Sequence, residues 1–171
     1  MRTGVRTLAV LSIALALSAC STTSVVRGVQ QSRMTPYAEA RADLRPQPAD
    51  SMRLYVYRPQ SVVGMWGNAI VIVDGMRMGN PADPTVENLL LPGAVFVVDT
   101  PAKPTRIWWV QSGRGEESEL AFELDPSRAR IWFLRWDLKP TYGYLRTVDE
   151  SLARGEIEPL GFSGYVNLMP R

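Results

Sequence analysis

The sequence predicts a mainly β protein, a single antiparallel β-sandwich or open barrel with one short helix near the C-terminal end. Three stretches carry that reading. Asn68 to Gly79, NAIVIVDGMRMG, is a β-branched apolar run followed by Asp74-Gly75, the residue pair that best tolerates the positive φ angles of a two-residue hairpin turn. Ser118 to Leu124 alternates, with Leu120, Phe122 and Leu124 on one side and Glu119, Ala121 and Glu123 on the other, the period of a strand that is wet on one face. Ala129 to Trp136, ARIWFLRW, carries apolar residues on both sides, Ile131 and Phe133 against Trp132, Leu134 and Trp136, as expected of a strand covered on both faces.

The remaining elements follow in order. Arg53 to Arg58, RLYVYR, alternates Leu54 and Val56 with Tyr55 and Tyr57, and Pro59 closes it, which suits a strand near a sheet edge. Gln60 to Gly67 is a loop holding Met65-Trp66. Pro81 and Pro84 forbid regular pairing after the central hairpin. Val86 to Leu91 is followed by the turn pair Pro92-Gly93 and by a strand at Ala94 to Val98, and Ile107 to Val110 is apolar throughout. Gln111 to Glu117 is a polar loop. Thr147 to Glu150 has the spacing of a capping box, with Gly155 where the short helix would end. Phe162 to Leu168 is apolar enough to pack back on the domain.

Composition narrows the chemistry. With 46% hydrophobic and 21% charged residues over 171 positions, there is material for one domain with a real core. The formal charge of +2 is the contribution of Arg2 and Arg6, and no Lys/Arg cluster appears elsewhere, so the electrostatic footprint of a nucleic-acid binder is missing. The absence of histidine removes the commonest general base near neutral pH and the commonest metal ligand. A single cysteine, Cys20, allows neither an intrachain disulfide nor a thiolate metal cage. The acidic groups Glu116-Glu117-Glu119 and Asp149-Glu150 lack the spacing of a calcium loop and read as solvated charges. Lys103 and Lys139 each adjoin a proline, and there is no Gly-x-Ser-x-Gly elbow. No cofactor and no metal are implied.

Trp66, Trp108 and Trp109 are the candidate partner-binding residues, because exposed tryptophans favour binding surfaces as readily as buried ones fill β cores. Trp108 and Trp109 are adjacent, so in a strand they point to opposite faces. One is expected in the core, and the C-terminal segment Phe162 to Leu168 is the expected cover for the other.

Residues 1–19 have a basic start and an apolar segment from Leu8 to Leu17, too short to span a bilayer, and they read as an export signal. Leu17-Ser18-Ala19-Cys20 resembles the lipobox of bacterial lipoproteins. That resemblance implies cleavage before Cys20 and a diacylglyceryl group on its thiol, with attachment to a membrane through acyl chains, each buried methylene contributing about 0.8 kcal/mol. Ser21 stands where an aspartate would signal inner-membrane retention, which points to the outer membrane, facing the periplasm. Residues 20–51, polar and punctuated by Pro36, Pro46 and Pro48, are read as a flexible tether, in which Thr35-Pro36 opens about two helical turns over Tyr37 to Leu44. Residues 52–171 form the β domain.

From Met52 to Pro159 the chain also resembles a family of small bacterial lipoproteins with a conserved uncharacterised envelope domain. The resemblance rests on Leu54-Tyr55-Val56-Tyr57-Arg58-Pro59, on Val71-Ile72-Val73-Asp74-Gly75 with Gly79, on Leu91-Pro92-Gly93, on Arg130 to Arg135, and on Val148-Asp149-Glu150 with Glu156-Ile157. Asn80 to Pro84 stands where such domains have a short Asn-Gly-type turn. The family implies no activity. The expected function is therefore a lipid-anchored, non-enzymatic envelope module that binds a protein or a glycan. The alternative is a small envelope hydrolase or transferase that works through carboxylates.

Overall fold

The computed structural model describes residues 34–60, 69–78, 90–111, 121–139 and 142–170. The compact unit runs from Thr35 to Arg171. In chain order its elements are β1 (Thr35–Pro36), α1 (Tyr37–Ala40) leading into a 3-10 turn (Arg41–Asp43), β2 (Ser51–Arg58), β3 (Ala69–Val73), β4 (Met76–Arg77), β5 (Ala94–Pro101), β6 (Thr105–Gln111), β7 (Phe122–Leu124), β8 (Ile131–Leu138), β9 (Gly143–Val148), α2 (Glu150–Ile157) and β10 (Gly161–Asn167). No described helix is long and apolar enough to cross a membrane.

The strands form a six-stranded sheet of order β1-β10-β5-β2-β8-β9 and a four-stranded sheet of order β4-β3-β6-β7. The sandwich expected from the residue pattern is what forms. Its core lies between the sheets: Leu54, Val56, Phe96, Val98, Leu134 and Trp136 from the larger one meet Val71, Val73, Ile107, Trp109 and Leu124 from the smaller. Each of these alternates with an outward neighbour, as the pleat requires. Burying one such side chain contributes about 1.5–3 kcal/mol, so the alternation holds each strand in register.

Two ladders are parallel, β2 with β8 and β10 with β5, and the residue pattern did not foretell them. A parallel neighbour needs a long crossover, and α2 lies in the connection that brings the chain back to β10. β2 is also central rather than near an edge, with β5 on one side and β8 on the other. All eight of its residues are buried. Pro59 ends the strand but does not mark a border.

The outer face of the larger sheet is not wet. Tyr55, Tyr57, Val95, Val97 and Phe133 form a second apolar cluster with Tyr37 of α1, with Ala153 and Ile157 of α2, and with Leu160. Residues from Thr35 on, expected to be tether, therefore belong to the fold. β1 pairs with β10, the Tyr37 amide donates to the Leu160 carbonyl at 2.8 Å, and the Arg53 guanidinium donates to the Arg45 carbonyl at 2.8 Å. Gln47 Nε2 donates to the carbonyls of Ser51 and Arg130, and Arg130 donates to the Ala49 carbonyl.

The central hairpin turns at Asp74 and Gly75, whose φ angles are 47° and 85°, as the Asp-Gly pair predicts. Gly93 has φ 73°, in keeping with the Pro92-Gly93 turn. The capping box does not form. Thr147 belongs to β9, Asp149 occupies the N-cap position without a side-chain cap bond, and Gly155 is inside α2. Cross-strand pairing of Thr147 with Leu134 holds it in the sheet.

Candidate functional site

β6 carries the adjacent tryptophans and separates them. Trp109 turns inward and is 4% exposed; its indole Nε1 donates to the Gly143 carbonyl at 3.2 Å, and its ring meets Trp136 edge-on with centroids 6.0 Å apart. It is a core residue and presents no surface to a partner. Trp108 turns outward and is half-buried, with the Arg106 guanidinium 5.3 Å from the centre of its ring. Trp66 and Cys20 lie outside the described residues.

The expected cover of Trp108 does not form from Phe162 to Leu168. That segment is β10, a strand of the other sheet, where Val166 and Leu168 pack into the inter-sheet core and Phe162 and Tyr165 into the outer cluster. Backbone pairing with β5 was open to it because Gly161 and Leu168 donate to the Gly93 and Asp99 carbonyls at 2.9 and 2.8 Å. Apolar character alone did not distinguish a covering flap from a strand.

The outward face of the four-stranded sheet is consequently the surface on which the predicted tryptophan stands. Because Val71, Val73, Ile107, Trp109, Phe122 and Leu124 pack toward the core, alternation turns Ile70, Ile72, Arg106, Trp108, Val110 and Glu123 the other way. Pairing sets Ile72 between Arg77 on β4 and Trp108 on β6. Ile72 is 3% exposed, whereas Arg77 and Arg106 are exposed and Val110 is half-buried.

Several carboxylates, the residues of the alternative reading, are held by guanidinium groups. On the outer side of the larger sheet Arg135 lies 2.9 Å from Glu156 and 3.0 Å from Asp137, the latter an ion pair without hydrogen-bond alignment. Arg146 also contacts Asp137. The Tyr57 hydroxyl donates to Glu156 at 2.7 Å, and burial followed by this hydrogen bond raises its pKa. Asp99 is fully buried and accepts from Arg53 Nε and Nη2, both at 2.7 Å, and from the Tyr165 hydroxyl at 2.7 Å. The hydrogen bond to Asp99 raises the Arg53 pKa. Burial, then the same carboxylate, raises that of Tyr165. These contacts join strands to one another and α2 to the sheet. Asp149 and Glu150 sit exposed at the start of α2, Glu150 accepting from Arg154 at 2.7 Å. Glu116, Glu117 and Glu119 lie outside the described residues. Among the described residues no group of three or more histidine, cysteine, aspartate or glutamate side chains converges as metal ligands would.

A small crevice of about 70 Å³ opens between α1 and α2, lined by Tyr37, Arg41, Phe133, Arg154, Ile157 and Glu158. Arg41 spans its rim to Glu158 at 2.9 Å. No family model, no curated protein and no solved structure matches this chain.

Proposed function

We propose that this protein is a lipid-anchored, non-enzymatic module of the bacterial envelope that binds a partner through the outward face of its four-stranded sheet. The observation that carries the binding reading is Trp108, a large, half-buried apolar ring set outward on β6 with Arg106 over it. Tryptophan and arginine are the residue types most often found at the energetic centre of interfaces. The anchoring reading rests on Leu17-Ser18-Ala19-Cys20 at the end of a short apolar segment. Acyl chains on Cys20 would hold the domain at the outer membrane, facing the periplasm, where envelope proteins and glycans are the partners within reach.

Two measurements test it. Wild-type protein should fractionate with membranes and carry the added mass of a diacylglyceryl group, and Cys20→Ser should lose both. Val110 replaced by a photocrosslinking phenylalanine should give a discrete crosslinked product in intact cells, abolished by Trp108→Ala. A wild-type protein of unmodified mass sinks the anchor; no crosslinked product from position 110 sinks the binding face.

A further inference from the structure

We infer that the partner met by this face is an acidic polypeptide segment, received by Arg77 and Arg106 on either side of the Ile72–Trp108 pair. The inference rests on the reading of the face as a binding surface and adds the chemistry of what it binds. Arg77 and Arg106 are exposed, and among the described residues neither takes part in an ion pair, whereas Arg53, Arg135, Arg146 and Arg154 each meet a carboxylate. Glu123 stands opposite Arg106 across the β6–β7 ladder without forming an ion pair with it, and the Asp74 carboxylate beside Arg106 accepts from its backbone amide at 2.9 Å and pairs with Lys103. Among the described residues the face therefore offers two guanidinium groups, beside an aromatic ring, that no carboxylate engages in an ion pair.

The arrangement favours a carboxylate-bearing peptide over a sugar. A sugar ring would need a bare indole face to stack on, and the Arg106 guanidinium, 5.3 Å from the ring centre, occupies one. A guanidinium stacked in this way keeps its planar fork of donors free to take a carboxylate with two hydrogen bonds. Arg77 and Arg106 lie on strands two apart and two residues out of line, roughly 12 Å at the backbone, and alternate side chains of an extended segment are spaced about 7 Å apart. Two acidic residues on one side of such a segment fall within reach of both arginine arms. Ile72, between Arg77 and Trp108, is buried, which leaves Trp108 and Val110 as the apolar contact and gives the charges a large share of the selectivity.

The test uses the full-length purified protein in detergent and a fluorescein-labelled peptide alternating glutamate and leucine, with a lysine–leucine peptide and polygalacturonate as comparisons. Fluorescence anisotropy should show binding of the glutamate–leucine peptide alone. Arg106→Glu and Arg77→Glu, both at exposed positions, should each weaken it by about tenfold or more, and added salt should weaken it further. Unchanged melting temperatures would show that both variants fold. Absence of binding by the acidic peptide, indifference to both charge reversals, or preferential binding of polygalacturonate would overturn the inference. Crosslinking from position 110 separates the binding face from the identity of its partner: a product that persists in the Arg77→Glu, Arg106→Glu double variant leaves the binding face intact and removes the acidic partner.

Discussion

Trp136 lies so close to Gly143 across the β8–β9 hairpin that an ideal Cβ on the glycine would sit 2.0 Å from a ring carbon of the indole. No real side chain tolerates that approach, so the glycine at this position is a packing requirement rather than a turn requirement. The same glycine offers its carbonyl to the indole N–H of Trp109, and it thereby ties β9 to the opposite sheet.

Gly143→Ala should therefore destabilise the protein by about 1–3 kcal/mol, the usual cost of overpacking a dense core. Chemical denaturation would measure it. Trp136→Leu in the same background should recover part of the loss by making room, which distinguishes a steric cause from a backbone one.

Gly75 presents the opposite case. A Cβ there meets nothing within 4 Å, but φ is 85°. Gly75→Val should cost about 1–3 kcal/mol from backbone strain alone, well above the exposed change Arg77→Ala. Melting curves of the two variants would compare them directly, and equal shifts would show that the turn does not demand the positive φ.

The buried pair Arg53–Asp99 should be far more sensitive to loss of one partner than to loss of both. Asp99→Asn leaves a guanidinium uncompensated where both side chains are almost fully enclosed, and about 3–5 kcal/mol is the expected cost. The double change Arg53→Met with Asp99→Leu should cost less than the single one. A double-mutant cycle in urea would decide.

Alkaline unfolding should begin below the range set by arginine. Burial, and then the neighbouring Tyr55, push the Tyr37 pKa from 10.0 up to about 12. The folded state thus holds its phenolic proton more tightly than the unfolded one. That contribution is complete below pH 10 and is lost as pH rises toward about 12. Melting temperature followed from pH 9 to 12 should fall, and Tyr37→Phe should flatten part of the decline; an identical slope in the variant would remove Tyr37 as a cause.

Local pattern by itself determined the β class, the Asp74-Gly75 hairpin, the double-sided burial of Ile131 to Trp136 and the opposite facing of Trp108 and Trp109, because each depends on alternation or on turn chemistry that neighbouring residues already specify. Tertiary structure alone decided which tryptophan is inside: Trp109 finds the Gly143 carbonyl and the edge of Trp136, and those partners are distant in the chain. It also decided that β2 is central, that β10 enters as a parallel strand, and that Thr35 to Asp50 covers an apolar sheet face instead of trailing from it. Strand order and parallel pairing are set by contacts between residues far apart in sequence, where loop closure and burial of a second face outweigh any local preference. Thr147 is the smallest instance: its spacing to Glu150 suits a helix cap, and its register with Leu134 in the sheet prevailed.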